Sequence, residues 1–74
     1  MTVVTAVLPK NDRGRRILND VEVRFDLWPM RIDRDGIRRY GPDQGGADVD
    51  GFDAWLDQVD RGWRDHLVTW RETP

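Results

Sequence analysis

Phe52, Trp55, Leu56, Val59, Trp63, Leu67 and Trp70 recur at steps of three or four residues, so the C-terminal part of the chain carries a continuous apolar stripe at helical spacing. The spacing predicts an amphipathic helix over about 52–70. Burying such a stripe is worth about 10 to 20 kcal/mol before entropy is subtracted. An isolated helix cannot realise that energy, so the rest of the chain must supply a surface to receive it. Asp57 with Arg61, and Asp60 with Arg64, are acid-before-base pairs four apart that suit the outer face of the same helix. Gly62 is its weak point and either caps one helix or kinks a longer one.

The receiving surface reads as a sheet. Thr2 to Leu8 is β-branched and ends at Pro9, which suits a short strand or an extended arm. Lys10 to Gly14 reads as a turn, Arg15 to Leu18 as a second short strand, and Asn19-Asp20 as another turn. Val21, Val23, Phe25 and Leu27 alternate with Glu22, Arg24, Asp26 and Trp28, the period of a half-buried strand. Met30 and Ile32 alternate with Arg31 and Asp33, Arg34-Asp35-Gly36 makes a hairpin turn, and Ile37 to Tyr40 is the last strand. Gly41 to Gly51 reads as a mobile glycine-rich loop whose aspartates suit a helix N-cap. The expected fold is α+β: a small antiparallel β-meander of three to four strands over about 2–40, the loop 41–51, and a C-terminal amphipathic helix over about 52–70 packed on one face. All 74 residues form one domain.

Composition narrows the chemistry. The chain has no cysteine and no serine, and His66 is its single histidine. Disulfides and cysteine- or histidine-rich metal sites are thereby excluded, and no nucleophile–base constellation can be assembled. Asp48-Val49-Asp50-Gly51 is similar to a calcium loop, yet Gly46 and Asp57 stand where that loop needs further ligands, so capping explains these aspartates better. No cofactor, no metal and no enzymatic activity are expected. The absence of an apolar run of spanning length or of a signal-type N-terminus makes the cytoplasm the expected location, away from the membrane.

Charge is unevenly spread. Residues 1–40 hold nine Lys/Arg against six Asp/Glu, and residues 41–74 hold three against eight. Arg13, Arg15, Arg16, Arg31, Arg34, Arg38 and Arg39 could form a patch for single-stranded nucleic acid, with Trp28 or Tyr40 stacking on a base. Interleaved aspartates favour a solvated, salt-bridged face instead. Trp28 lies on the charged side of its strand, where it either anchors a partner beside Arg24 and Asp26 or is folded back by Pro29 into the core.

The register Asp20, Glu22, Arg24, Asp26, Trp28, Pro29 resembles the first signature of the MbtH-like proteins, small accessory partners of nonribosomal peptide synthetases. In that signature Asn, Glu, Gln and Ser alternate before Trp-Pro. Tyr40-Gly41-Pro42 resembles the family's His-Gly-Pro, and Leu56, Asp57, Val59, Asp60, Trp63 and Asp65 keep the spacing of its second tryptophan motif. Glu22, Trp28 and Pro29 are identical to the first signature, whereas Ile37 replaces the second tryptophan of the family's cleft and Asp26 replaces its serine. The resemblance implies an MbtH-like fold and noncatalytic binding to an adenylation domain, promoting its solubility and activity. The contact set would be Arg24, Asp26, Leu27, Trp28, Pro29, Ile37, Trp63 and Asp65, with Trp28 and Ile37 as cleft walls. The expected partner is thus a larger protein. Nucleic-acid binding, or an inhibitor or immunity-type role using the acidic loop and helix, are the alternatives, and the chain is expected to be a monomer or weak dimer.

Overall fold

The computed structural model describes residues 3–41 and 48–73. The elements run β1 (Val4–Pro9), α1 (Asp12–Arg24), β2 (Arg31–Ile32), β3 (Arg38–Tyr40), α2 (Val49–Val59) and β4 (Leu67–Glu72), with a 3-10 turn, Trp63–Asp65, before β4. The α+β class and the antiparallel sheet agree with expectation; the order of elements does not. The four strands lie in the order β2-β3-β1-β4, every neighbouring pair antiparallel. This β-α-β-β-α-β path is a split βαβ arrangement rather than a meander.

The first difference is α1, which occupies the span expected to hold a turn and two strands. Asn11 takes an extended conformation and its Oδ1 accepts from Gly14 N at 2.9 Å, a helix N-cap, and Asp12 adds a negative charge in the first turn. Gly14, Ile17, Leu18 and Val21 are buried, a spacing of three and four that fits a helix. The alternation Val21, Val23, Phe25, Leu27 competes with that stripe and loses, so Val23 is left 85% exposed. Gly14 is where α1 crosses the backbone that enters β4. A Cβ there would lie 2.3 Å from His66 O, which explains a glycine inside a helix.

The second difference is the C-terminal helix. Asp48 caps α2 by accepting from Gly51 N at 2.8 Å, as its place before the stripe suggested. The helix stops at Val59, because Asp60 leaves helical geometry and folds its Oδ1 onto Gly62 N at 2.8 Å. Trp63 is buried in the 3-10 turn, and residues 67–72 continue as a strand. Leu67, Val68, Thr69 and Trp70 are the residue types that favour a strand, and β1 needs one. Val4, Thr5, Ala6 and Val7 are all buried, the burial of a central strand flanked by a neighbour on each side. β1 therefore lies between β3 and β4, inside the sheet rather than as a free arm.

The hairpin is as expected. Asp33 Oδ1 accepts from Asp35 N and Ile37 N, Gly36 N donates to Asp33 O at 3.0 Å, and Gly36 has φ +85°, which favours glycine. Val7, Ile17, Leu18, Val21, Leu27, Tyr40, Phe52, Leu56, Trp63 and Leu67 form one core between the sheet and both helices. Tyr40 and Phe52 meet at 4.8 Å between ring centroids, and Phe25 stacks on Trp55 at 5.1 Å where the helices touch. Thr2 and residues 42–47 of the expected loop, with Pro42, Gly45 and Gly46, lie outside the described residues.

Candidate interaction surface

The turn after α1 shapes the surface around Trp28. Phe25 N donates to Val21 O at 3.0 Å, Asp26 adopts φ +56°, and Leu27 N reaches back to Glu22 O at 2.8 Å. Holding a non-glycine residue in that left-handed region costs about 1 to 2 kcal/mol, and aspartate tolerates it better than most. The reversal drives Leu27 into the core and turns Trp28 outward. Trp28, Met30 and Ile32 are 53%, 54% and 55% exposed, three large apolar side chains at alternate positions leading into and along the short edge strand β2. Trp28 is thus neither on a regular strand nor folded into the core.

Ile32 pairs with Arg38 and lies toward the helix side, whereas Met30 borders the other face of the sheet, which no helix covers among the described residues. Val7 and Tyr40 point into the core, so the strand register turns Val4, Ala6, Leu8, Arg31, Arg39, Val68, Trp70 and Glu72 to the opposite side. Val4, Met30, Arg31, Arg39 and Glu72 line a shallow depression of about 480 Å³ there. Arg39 dominates it. Its guanidinium donates to Asp33 Oδ2 at 2.8 Å and to Glu72 Oε1 at 2.8 Å, tying the hairpin turn to β4 across β1. These hydrogen bonds hold the carboxyls of Asp33 and Glu72 below the usual carboxylate range, helped at Glu72 by Trp70 Nε1, which donates to Oε2 at 3.0 Å. The same partners push Arg39 further up.

Arg38 points to the helix side and donates to Glu22 Oε1 at 2.6 Å and to Asn19 Oδ1 at 3.1 Å. Burial raises the Glu22 carboxyl, and the Arg38 charge pulls it part of the way back. The seven arginines considered as one patch are therefore divided. Arg13, Arg15 and Arg16 are on α1, where Arg13 pairs with Asp60 at 2.7 Å and Arg15 with Asp12. Arg31 and Arg34 make no ion pair among the described residues, and Arg39 makes two.

The expected contact residues fall in separate places. Arg24 closes α1 and donates to Gln58 O at 3.3 Å, and Asp26, Leu27, Trp28 and Pro29 follow in the α1–β2 link, with Leu27 buried. Ile37 sits at the turn end of the β2–β3 hairpin, while Trp28 precedes the other end. Trp63 is in the core, its Nε1 donating to Asp57 Oδ1 at 2.7 Å and its ring covered by the Arg64 guanidinium at 4.3 Å. Asp65 is exposed beside it. Asn11 at the start of α1 donates to His66 Nδ1 at 3.1 Å, which places that turn at the opposite end of α1 from Trp28. Arg64, not Arg61, pairs with Asp57, and Asp60 pairs across to α1, because the helix ends before the expected four-residue spacing can operate.

The sequence reading missed Met30, Ile32 and Glu72 as surface-forming residues. Their signal was present in the parity of Trp28, Met30 and Ile32 across Pro29. Residues 20–24, whose alternation carried the MbtH-like resemblance, are helical in this chain. Among the described residues no group of three or more acidic, histidine or cysteine side chains is placed to hold a metal, and no helix is long and apolar enough to cross a membrane. No protein-family model, curated protein or solved structure matches the chain.

Proposed function

We propose that the chain is a noncatalytic module that binds a larger protein through the strip Trp28, Met30 and Ile32, with the uncovered sheet face beside it. The observation that carries this reading is the exposure of three large apolar side chains around β2, Trp28, Met30 and Ile32, the first of them just after the left-handed turn at Asp26. Trp and Met are enriched in interface cores, and Arg31, next to Met30 in the sequence, makes no ion pair among the described residues and can pair with the partner. The short motifs Glu22, Trp28-Pro29 and Trp63 make an adenylation domain of a nonribosomal peptide synthetase the first partner to test, and such a partner would place the chain in the cytoplasm. Copurification and an adenylation assay, each with and without the chain, test this. Trp28→Ala is expected to weaken binding at least tenfold while leaving thermal stability within about 0.5 kcal/mol, as for other exposed positions. Binding unchanged by Trp28→Ala removes the strip as the contact, and absence of binding to any adenylation domain removes that partner class.

A second reading is favoured by the uncovered sheet face, which Trp70 shares with Arg31 and Arg39. Single-stranded nucleic acid stacks on such faces. The double neutralisation of Arg39 by Asp33 and Glu72 weighs against it. Titration with an oligonucleotide at two salt concentrations distinguishes the readings, since phosphate contacts weaken steeply with salt.

A further inference from the structure

The two edges of the sheet are unequal. β2 has two residues, whereas β4 has six, and among the described residues no strand lies beyond it. The direction of the β4 backbone groups follows from one hydrogen bond. Lys10 N donates to His66 O at 2.8 Å, one step past the Pro9–Leu67 pair of the β1–β4 register. Hydrogen-bonded pairs alternate in an antiparallel ladder, so Leu8–Val68, Ala6–Trp70 and Val4–Glu72 exchange bonds across the β1–β4 seam. Pro9, which has no N–H, falls on a position where none is required. Leu67, Thr69 and Arg71 then point their N–H and C=O groups away from β1, along a bare edge.

We propose that two copies of this chain pair antiparallel along β4, about a two-fold axis through Thr69, to form one eight-stranded sheet. This register sets Leu67 opposite Arg71 and Thr69 opposite Thr69, so all three outward-pointing residues of each copy find hydrogen-bonding partners. It sets Val68 opposite Trp70 twice, at the closely spaced non-hydrogen-bonded positions where an aromatic and a β-branched side chain pack well. Val68, 40% exposed in the single chain, is thereby covered. Charge supports the same pairing. Asp53 accepts from Thr69 Oγ1 at 2.8 Å, and among the described residues it has no cationic partner and Arg71 no anionic one. Both lie on the helix side of the sheet, and the two-fold axis carries each Arg71 alongside the other copy's Thr69 and Asp53. Leu67–Glu72 contains neither proline nor a bulge, and its charged residues stand at its C-terminal end, which leaves Leu67–Trp70 open as an edge.

Sedimentation equilibrium of the full chain tests the proposal. The expected result is a dimer whose dissociation constant rises at least tenfold in Val68→Lys, with the circular dichroism of the fold retained. Arg71→Glu serves as a second variant with the same expected direction and no change to the apolar contacts. Isotope-filtered NOE spectra of a mixed labelled and unlabelled sample should show contacts between the Val68 methyls of one subunit and the Trp70 indole of the other. A chain that stays monomeric at millimolar concentration, or a dimer that both variants leave unchanged, overturns the proposal. These outcomes do not depend on Trp28 or on any larger partner.

Discussion

Gly14 shows how one residue can oppose its own secondary structure for the sake of tertiary contact. In an exposed helix interior, exchanging glycine for alanine stabilises by about 1 kcal/mol. Here the added methyl would meet the His66 carbonyl, which is backbone and cannot swing aside, while that same carbonyl accepts from Lys10 N. Gly14→Ala is therefore expected to destabilise by about 2 kcal/mol or more, as overpacking does, measured by urea unfolding. The sign is the informative part, because helix propensity alone requires the opposite. Asp26 makes the complementary case: a left-handed aspartate sets the direction of Trp28 without touching it.

At the scale of elements, Arg39 joins parts of the chain that the sequence keeps far apart. It stands on β3, binds the turn through Asp33 and binds β4 through Glu72. Because both carboxyls titrate lower in the folded chain than in the unfolded one, the unfolded state takes up more protons over the acid range. The stabilisation is complete above the ordinary carboxylate range and is lost as pH falls below about 4. Glu22 works in the other direction, since its raised pKa favours the folded chain at low pH. Melting temperature measured from pH 3 to 7 should decline on the acid side, and Arg39→Gln should flatten that decline. What was legible in the sequence followed local chemistry: the β2–β3 turn, the Asp48 cap and β1 are where their residues indicated. What was not legible involved competition. Residues 14–27 carry a helical and a strand period together, and the Asn11 cap decides between them. Residues 63–70 continue the stripe of α2 while serving as the second neighbour of β1, a demand that becomes visible only once all of Val4 to Val7 is known to be buried. The exposed strip was half legible, since Trp28 stood out and Met30 and Ile32 shared its parity, but the turn at Asp26 that aims it leaves little mark in the residue pattern.

Across the whole molecule the sheet is closed by its most distant segments, with Val4 opposite Glu72 and Pro9 opposite Leu67. A domain of this size holds only about 3 to 5 kcal/mol from its core. A chain ending at His66 would expose the flank of β1, and is expected to lose cooperative unfolding and the dispersed amide spectrum of the folded state, whereas a chain ending at Thr73 keeps both. The position of β1 also has a consequence for biosynthesis. β1, synthesised before the other strands of its sheet, acquires its last neighbour only after Leu67–Glu72 has left the exit tunnel. Until then Val4, Ala6 and Val7 present the kind of bare apolar segment that nascent-chain chaperones hold, so this sheet should form late and all at once rather than piece by piece as it is translated.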